Sequence, residues 1–259
     1  MSASTSKPRI GTALLFACLL GALRIAGAQT DEIQVYDAEI AAPGTFNLTW
    51  HNNFTPAGRE QPGFPGGIVP NHALNGVPEW AYGVSDWFEA GTYLPLYTRT
   101  ADGALLFDGV KLRALFVVPD AANRVFFYGL NFELSYNSPH WEPSRFSGEM
   151  RPIIGWHLGP WDLIVNPILD TDFNGLGRLD FAPAARAAYR LSGRISVALE
   201  EYADFGPLKH LRSGADQSQT VFAVIDYGSS SNGIEFGVGK GLTRASDSTV
   251  VKLMLMHDL

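Results

Sequence analysis

The chain has 259 residues, 46% hydrophobic and 17% charged, with a formal net charge of −7. That acidity, with no Lys/Arg stripe along the chain, argues against nucleic acid as a partner. A single cysteine, Cys18, excludes a disulfide framework and a cysteine metal site.

The first predicted element is an export signal. Lys7 and Arg9 precede the apolar run Ile10 to Leu23, Arg24 closes it, and Ala26-Gly27-Ala28 is a small-residue cleavage pattern. The run is short for a spanning helix. The expected division is therefore a signal peptide over residues 1–28 and one domain over 29–259. Cleavage removes Cys18 and leaves 16 basic against 26 acidic residues, a net charge of −10.

Beyond the signal, helical patterns are almost absent. Short alternating blocks are separated by Gly, Pro, Asn, Asp and Ser clusters, which predicts antiparallel all-β structure. Twelve strands are expected, with ten to fourteen compatible with the pattern: 44–54, 78–84, 87–97, 108–118, 124–137, 148–158, 161–170, 178–190, 194–205, 219–228, 233–241 and 249–259. The tight connections "SD", "PDAAN", "GP", "LSG" and "SSSN" alternate with longer ones, among them 55–77, 98–107 and 206–218. An up-and-down transmembrane barrel has this layout, with short periplasmic turns and longer external loops.

The strand "VFFYGLNFELSY" (125–136) separates into an apolar face of Phe126, Tyr128, Leu130, Phe132, Leu134 and Tyr136 and an increasingly polar one. Aromatics gather near the tight turns, as Trp87, Trp156, Trp161 and Tyr189 do, which fits an interfacial girdle. The apolar face is accordingly expected to meet lipid. A soluble periplasmic barrel with an apolar ligand inside is the alternative, and it requires the Phe126 face to point inward.

The opposite face carries charge. Lys111, Arg113, Glu133, Glu149, Arg151, Asp162, Asp180, Arg186, Glu200, Asp204, Asp226, Glu235 and Lys252 are the candidate lumen-lining residues. Twelve strands lie between small barrels filled by side chains and larger ones with an aqueous channel. Both a narrow polar pore and a non-conducting barrel filled by salt bridges fit. Eight acids against five bases in this set predict a weak preference for cations or neutral solutes.

No other motif carries chemistry. "DTDFNG" (170–175) opens like a calcium loop, but Phe181 stands where the closing Glu is needed, so a polar turn is expected. The six histidines form no Ser/His/Asp framework; Glu149, His157 and Asp162 fall on adjoining strands, where a solvated or ion-paired lumen is the commoner explanation. No catalytic residue, cofactor or metal is assigned. Gly237, Gly239 and Gly241 alternate on one strand, which suits close packing or curvature.

Several blocks resemble a family of proteobacterial outer-membrane barrels grouped with the meta-pathway of phenol degradation and often labelled transporters. They are "DEIQVYDAEI" (31–40), "GVPEWAYGVSDWFEAGTYLPLY" (76–97), "FFYGLNFELSYNSPHW" (126–141), "EMRPIIGW" (149–156), "VNPILDT" (165–171), "DFAPAAR" (180–186) and "EEYADFGPL" (200–208). The resemblance implies a bacterial outer-membrane location and passive transport of an unspecified small molecule rather than an enzyme. Its implied partners are outer-membrane lipid and, during biogenesis, the barrel-assembly machinery. One departure stands out: such barrels usually end in an aromatic residue, and this chain ends in Leu259.

Overall fold

The computed structural model describes residues 32–259; the signal peptide expected over residues 1–28 lies outside them. Fourteen strand segments build one antiparallel sheet. They are β1 (Phe46–Ala57), β2 (Leu74–Gly83), β3 (Phe88–Arg99), β4 (Leu105–Val117), β5 (Phe126–Asn137), β6 (Phe146–Leu158) and β7 (Trp161–Asn166). After these come β8 (Leu169–Thr171), β9 (Asp180–Phe181), β10 (Ala184–Arg190), β11 (Ile195–Asp204), β12 (Ser218–Gly228), β13 (Asn232–Gly241) and β14 (Thr249–Asp258).

β1 pairs with β14, from Asn47 opposite Asp258 to Ala57 opposite Thr249, so the sheet closes on itself. Two pairs of segments are single staves interrupted by proline. β7 and β8 share one register against β6, and β9 and β10 share one against the β7–β8 stave. Twelve staves result, an up-and-down barrel of the expected strand count.

The interruption has a chemical cause. Ile154 pairs with Val165 and Met150 with Leu169, which sets Pro152 opposite Pro167. Neither imino nitrogen has a hydrogen to give, so the pairing lapses between those rungs. Pro183 follows on the next stave by the same register, since Ala184 pairs with Asn166 and Phe181 with Leu169. The apolar alternation runs through these prolines, so the sequence pattern shows no break.

Connection lengths depart from strict alternation at one place. The link between β3 and β4 is five residues, 100–104, whereas residues 118–125 between β4 and β5 number eight. Both strands run past the expected ends, pairing Tyr97 with Phe107 and Arg99 with Leu105. β1 and β2 likewise extend into the expected loop, which shortens to 58–73. The termini of the sheet still lie at the tight-turn end, where Asn47 meets Asp258.

The outside of the barrel is apolar. Phe126, Tyr128, Phe132, Leu134 and Tyr136 of β5 are exposed, while Phe127, Asn131, Glu133 and Ser135 are buried. Leu112, Leu163, Val165, Leu199, Ile225 and Val238 continue the exposed band around the wall. Aromatic pairs rim it at the tight-turn end, with Phe46–Tyr82 centroids 4.6 Å apart and Trp161–Tyr189 4.9 Å. At the other rim Tyr136 meets Phe146 at 5.3 Å, with the Arg145 guanidinium over its ring. In water such a surface would be unstable, whereas closure plus an apolar belt is what hydrocarbon demands of β structure. The inward-facing alternative for the Phe126 face is overturned.

Candidate functional site: a strapped, charge-lined lumen

Residues 32–45 precede β1 and run inside the barrel. The segment enters beside β2, where Gly44 N–H donates to the Gly83 carbonyl at 2.7 Å and Pro43 bridges Gly83. Gly83 is needed there: a Cβ would lie 2.2 Å from the Ala42 oxygen and 2.3 Å from that of Ala41. Deeper in, Ala41 N–H donates to Glu89 at 2.6 Å. Val35, Tyr36 and Ala38 then pack on an inner apolar cluster that includes Leu115, Phe127, Ile153, Ile164 and Ile168.

Tyr36 is the anchor of this strap. Asn166 of β7 clamps its backbone, accepting from the N–H at 2.7 Å and donating to the carbonyl at 3.0 Å. Its hydroxyl lies 2.5 Å from that of Tyr93 and donates to Glu133 at 3.4 Å. Its ring sits under two guanidinium groups, Arg151 at 4.3 Å and Arg113 at 5.5 Å from the centroid. Cation–π contacts of this kind gain strength where water is excluded.

The thirteen candidate residues fall into linked clusters around the strap. Arg113 bonds Glu79 at 2.8 Å and also Glu89, and His51 approaches Glu79 at 3.2 Å. Lys111 reaches Glu133 at 3.5 Å. Arg151 grips Glu149 through two nitrogens, at 2.6 and 3.0 Å, and turns its third to Glu32 and the Gln34 carbonyl, both at 3.2 Å. Arg186 gathers Glu200, Asp226 and Glu235; Lys252 joins Glu200 and Glu235 and donates to the Ile33 carbonyl at 3.1 Å.

Toward the long loops, Arg212 pairs with Asp204 at 2.6 Å and lies 3.9 Å from Asp180. Near the tight turns, Asp162 pairs with His157 at 2.6 Å and Arg190 at 3.4 Å. Of the adjoining trio, His157 and Asp162 thus meet, while Glu149 is engaged by Arg151. In the "DTDFNG" turn Asp172 pairs with Arg178 at 2.7 Å and accepts from the Asn174 N–H. Among the described residues no group of three or more His, Cys, Asp or Glu is set to hold a metal ion.

The register also makes a row of acids. Glu133 faces Glu149, Glu149 faces Asp170, and Asp170 faces Asp180, on four consecutive staves and one inner face. Like charges directly opposite are unfavourable in a ladder. Lys111, Arg151 and Arg212 attend three of the four.

The strap divides the lumen. A cavity of about 670 Å³ opens toward the tight turns, bordered by Asp37, Glu39, Arg186, Asp226 and Met254. A smaller one of about 190 Å³ lies toward the long loops, bordered by Glu32, Arg59, Glu149, Asp170 and Asp204. Sequence reasoning missed the strap, Asn166, and the inward acids Glu79 and Glu89. The signal for Glu79 was present, since it alternates with the outward Trp80 and with Tyr82 beyond. For the strap there was none, because its partners are side chains distant in the chain, from 48 to 219 residues away.

Gly237 and Gly239 lie under Lys252 and Phe222, whose side chains occupy the space a Cβ would take. These glycines give close packing inside the wall rather than any binding loop.

No family model and no curated protein matches the chain. Among solved structures, the barrel is similar to the COG4313 outer membrane channel from Pseudomonas putida F1, with a TM-score of 0.58 and 12% identity over 88% of this chain and 100% of that one. It is also similar to the KdgM porin, with a TM-score of 0.52 and 10% identity over 82% and 98% of the two chains. That porin has been seen in complex with disordered oligogalacturonate. At these identities the likeness is one of fold, and the fold is the closed antiparallel barrel of outer-membrane channels.

Proposed function

We propose that the chain is a passive outer-membrane channel for small solutes, held shut by its own strap. The single observation that carries this reading is how the strap is attached. The wall closes through β1 and β14 without it. Beyond the entry contacts at Gly83, the strap is held by side chains of the wall. A segment so held can leave without breaking the ladder, and its departure would join the two cavities.

The thirteen charged residues would then line the solute path. The acid row above the strap favours cations and neutral solutes over anions. The outer location rests on the apolar belt and the two aromatic rims, and implies outer-membrane lipid as surroundings and the barrel-assembly machinery during insertion. Resemblance to the phenol meta-pathway group of transporters fits a small-molecule solute of unassigned identity. The solved structures of similar fold are channels and porins, and transport is therefore preferred to catalysis.

A non-conducting barrel is the second reading, favoured by how completely Arg151 and Lys252 are enclosed in ion pairs. Planar-bilayer recording of the full chain separates the two. Discrete conductance steps with a cation-leaning reversal potential are expected. Silence from both the native chain and a strap-loosened Tyr36→Ala variant would leave the structural barrel.

A further inference from the structure

The smaller cavity, on the long-loop side of the strap, is short of positive charge. Five carboxyl groups border it, those of Glu32, Glu149, Asp170, Asp204 and Asp247, against two bases, Arg59 and Arg151. Arg59 is engaged by Asp247 at 3.1 Å, and Asp204 has Arg212. Arg151 is divided between Glu149 and Glu32. Asp170 is the member of the acid row that none of the bases bonds among the described residues; Arg151 and Lys111 act on it only through space.

A second shortage comes from the strap rather than the wall. The Glu32 side chain is 2% exposed, and its Oε1 accepts from Arg151 at 3.2 Å. Its Oε2 has no hydrogen-bond partner among the described residues, and neither has the side-chain oxygen of Gln34, which borders the same cavity. Buried acceptors without donors cost free energy, more so when charged. Three groups on two separate elements thus lack the same thing, a positively charged donor.

A metal ion does not meet that need. It requires several oxygens converging within about 2.5 Å, and among the described residues no group of three or more His, Cys, Asp or Glu is set to hold one. The cavity is larger than an ion: about 190 Å³ is room for about six waters, or an organic ion of about as many non-hydrogen atoms. Much of its remaining border is apolar, from Ile33, Ile168, Ala182, Phe222 and Val250. Charged ends on a short hydrocarbon chain match acids set around such a border.

We propose that the smaller cavity binds a short aliphatic diammonium ion, with one end between Asp170 and Glu32, and that the bound ion locks the strap. The lock follows from where the acceptors sit. Asp170 belongs to the wall, while Glu32 and Gln34 belong to the strap, so the set is complete only when the strap is seated. A ligand that binds one state alone draws the equilibrium toward it by the factor 1 + [L]/Kd. Binding itself does not depend on conduction; the lock rests on the channel reading above and adds a closing ligand to it.

The full chain, purified in detergent and shown to be folded by its heat-dependent gel shift, is titrated calorimetrically with 1,4-diaminobutane. One saturable site is expected. Binding should be about tenfold weaker for 1-aminobutane, which lacks the second charge, and about tenfold weaker in Asp170→Asn and in Glu32→Gln. Glu32 lies off the wall ladder, so its variant decides the matter should Asp170→Asn fail to fold. No saturable binding, or binding unchanged in either folded variant, would overturn the site. Tighter binding of 4-aminobutanoate would overturn the diammonium class and bring in Arg59, whose Nη1 also lacks a partner among the described residues.

Planar bilayers report the lock. At a diamine concentration of about ten times the native Kd, the open-to-closed ratio of the strap-loosened Tyr36→Ala chain should fall about tenfold. Tyr36→Ala with Asp170→Asn should not respond. Asp170-dependent binding without that fall would overturn the lock and leave the site standing. Such binding with every variant silent would overturn the channel reading, and the lock with it, and again leave the site.

Discussion

Tyr36 ties the strap to five strands of the wall. Its ring and hydroxyl touch groups on β3, β4, β5 and β6, and its backbone is held by β7. Truncating a buried aromatic costs about 3–5 kcal/mol, which shifts the balance of seated and released strap by about two to four orders of magnitude. Tyr36→Ala is therefore expected to raise open probability in single-channel records. Tyr36→Phe keeps the ring under both guanidinium groups and loses only hydroxyl bonds worth about 1 kcal/mol net. It should fall between the native chain and the alanine variant; equal behaviour of Phe and Ala would place the anchoring in the hydroxyl alone.

A second residue of the strap makes it sensitive to pH. Burial, and then the neighbouring Glu39 carboxylate, push Asp37 up to about 7, against the opposing pull of Arg186 and of the Glu39 N–H. A released strap returns Asp37 to an ordinary carboxyl value, near 4. The seated state therefore holds the proton more tightly, and seating is strongest below about pH 4 and weakens as pH rises toward 7. Conductance should accordingly increase between pH 5 and pH 8 and level off above. Asp37→Asn should abolish that rise, and a rise that survives the substitution would assign it to another group.

At the level of elements, the twelve staves are legible because an amphipathic strand writes its period of two into the sequence. All the predicted strands have counterparts in the barrel. What was hidden has physical reasons. Pro167 and Pro183 interrupt hydrogen bonding without interrupting side-chain alternation, so one expected strand becomes β7 and β8, and another becomes β9 and β10. The strap looks like a fragment of strand, with Ile33 and Val35 alternating, yet it forms no ladder and is bound by side chains instead. Inward charge was visible; which charges pair was not, because pairing depends on register between distant segments. Gly83 illustrates the point: as a residue it reads only as part of a turn, and its role appears once the strap passes over it. Gly83→Val would push a side chain into the Ala41 and Ala42 carbonyls. The expected result is a barrel that still shows a heat-dependent shift on a denaturing gel but has a higher open probability than the native chain. Loss of the gel shift instead would mean that the strap is required for closure.

At the scale of the whole molecule, the barrel inverts the usual arrangement: the wall turns apolar residues outward, and its interior is held by ion pairs. Lys252 is the centre of that interior. It is fully buried and bonds Glu200, Glu235 and the strap carbonyl of Ile33. Removing one partner of a buried network leaves uncompensated charge, at a cost of about 3–5 kcal/mol. Lys252→Met should therefore lower the temperature at which the folded band converts to the unfolded one on the gel, and should also free the strap end at Ile33. Arg186 alone would then face Glu200, Asp226 and Glu235, three acids to one base. Adding Glu235→Gln to Lys252→Met removes one of the stranded charges, so the double variant should be more heat-stable than the single. That ordering separates the two explanations of the charged lumen. If the network is chiefly structural, the double variant recovers stability and stays silent in the bilayer. If it lines a solute path, stability recovers while the reversal potential moves toward anions, because an acid has been taken from the route.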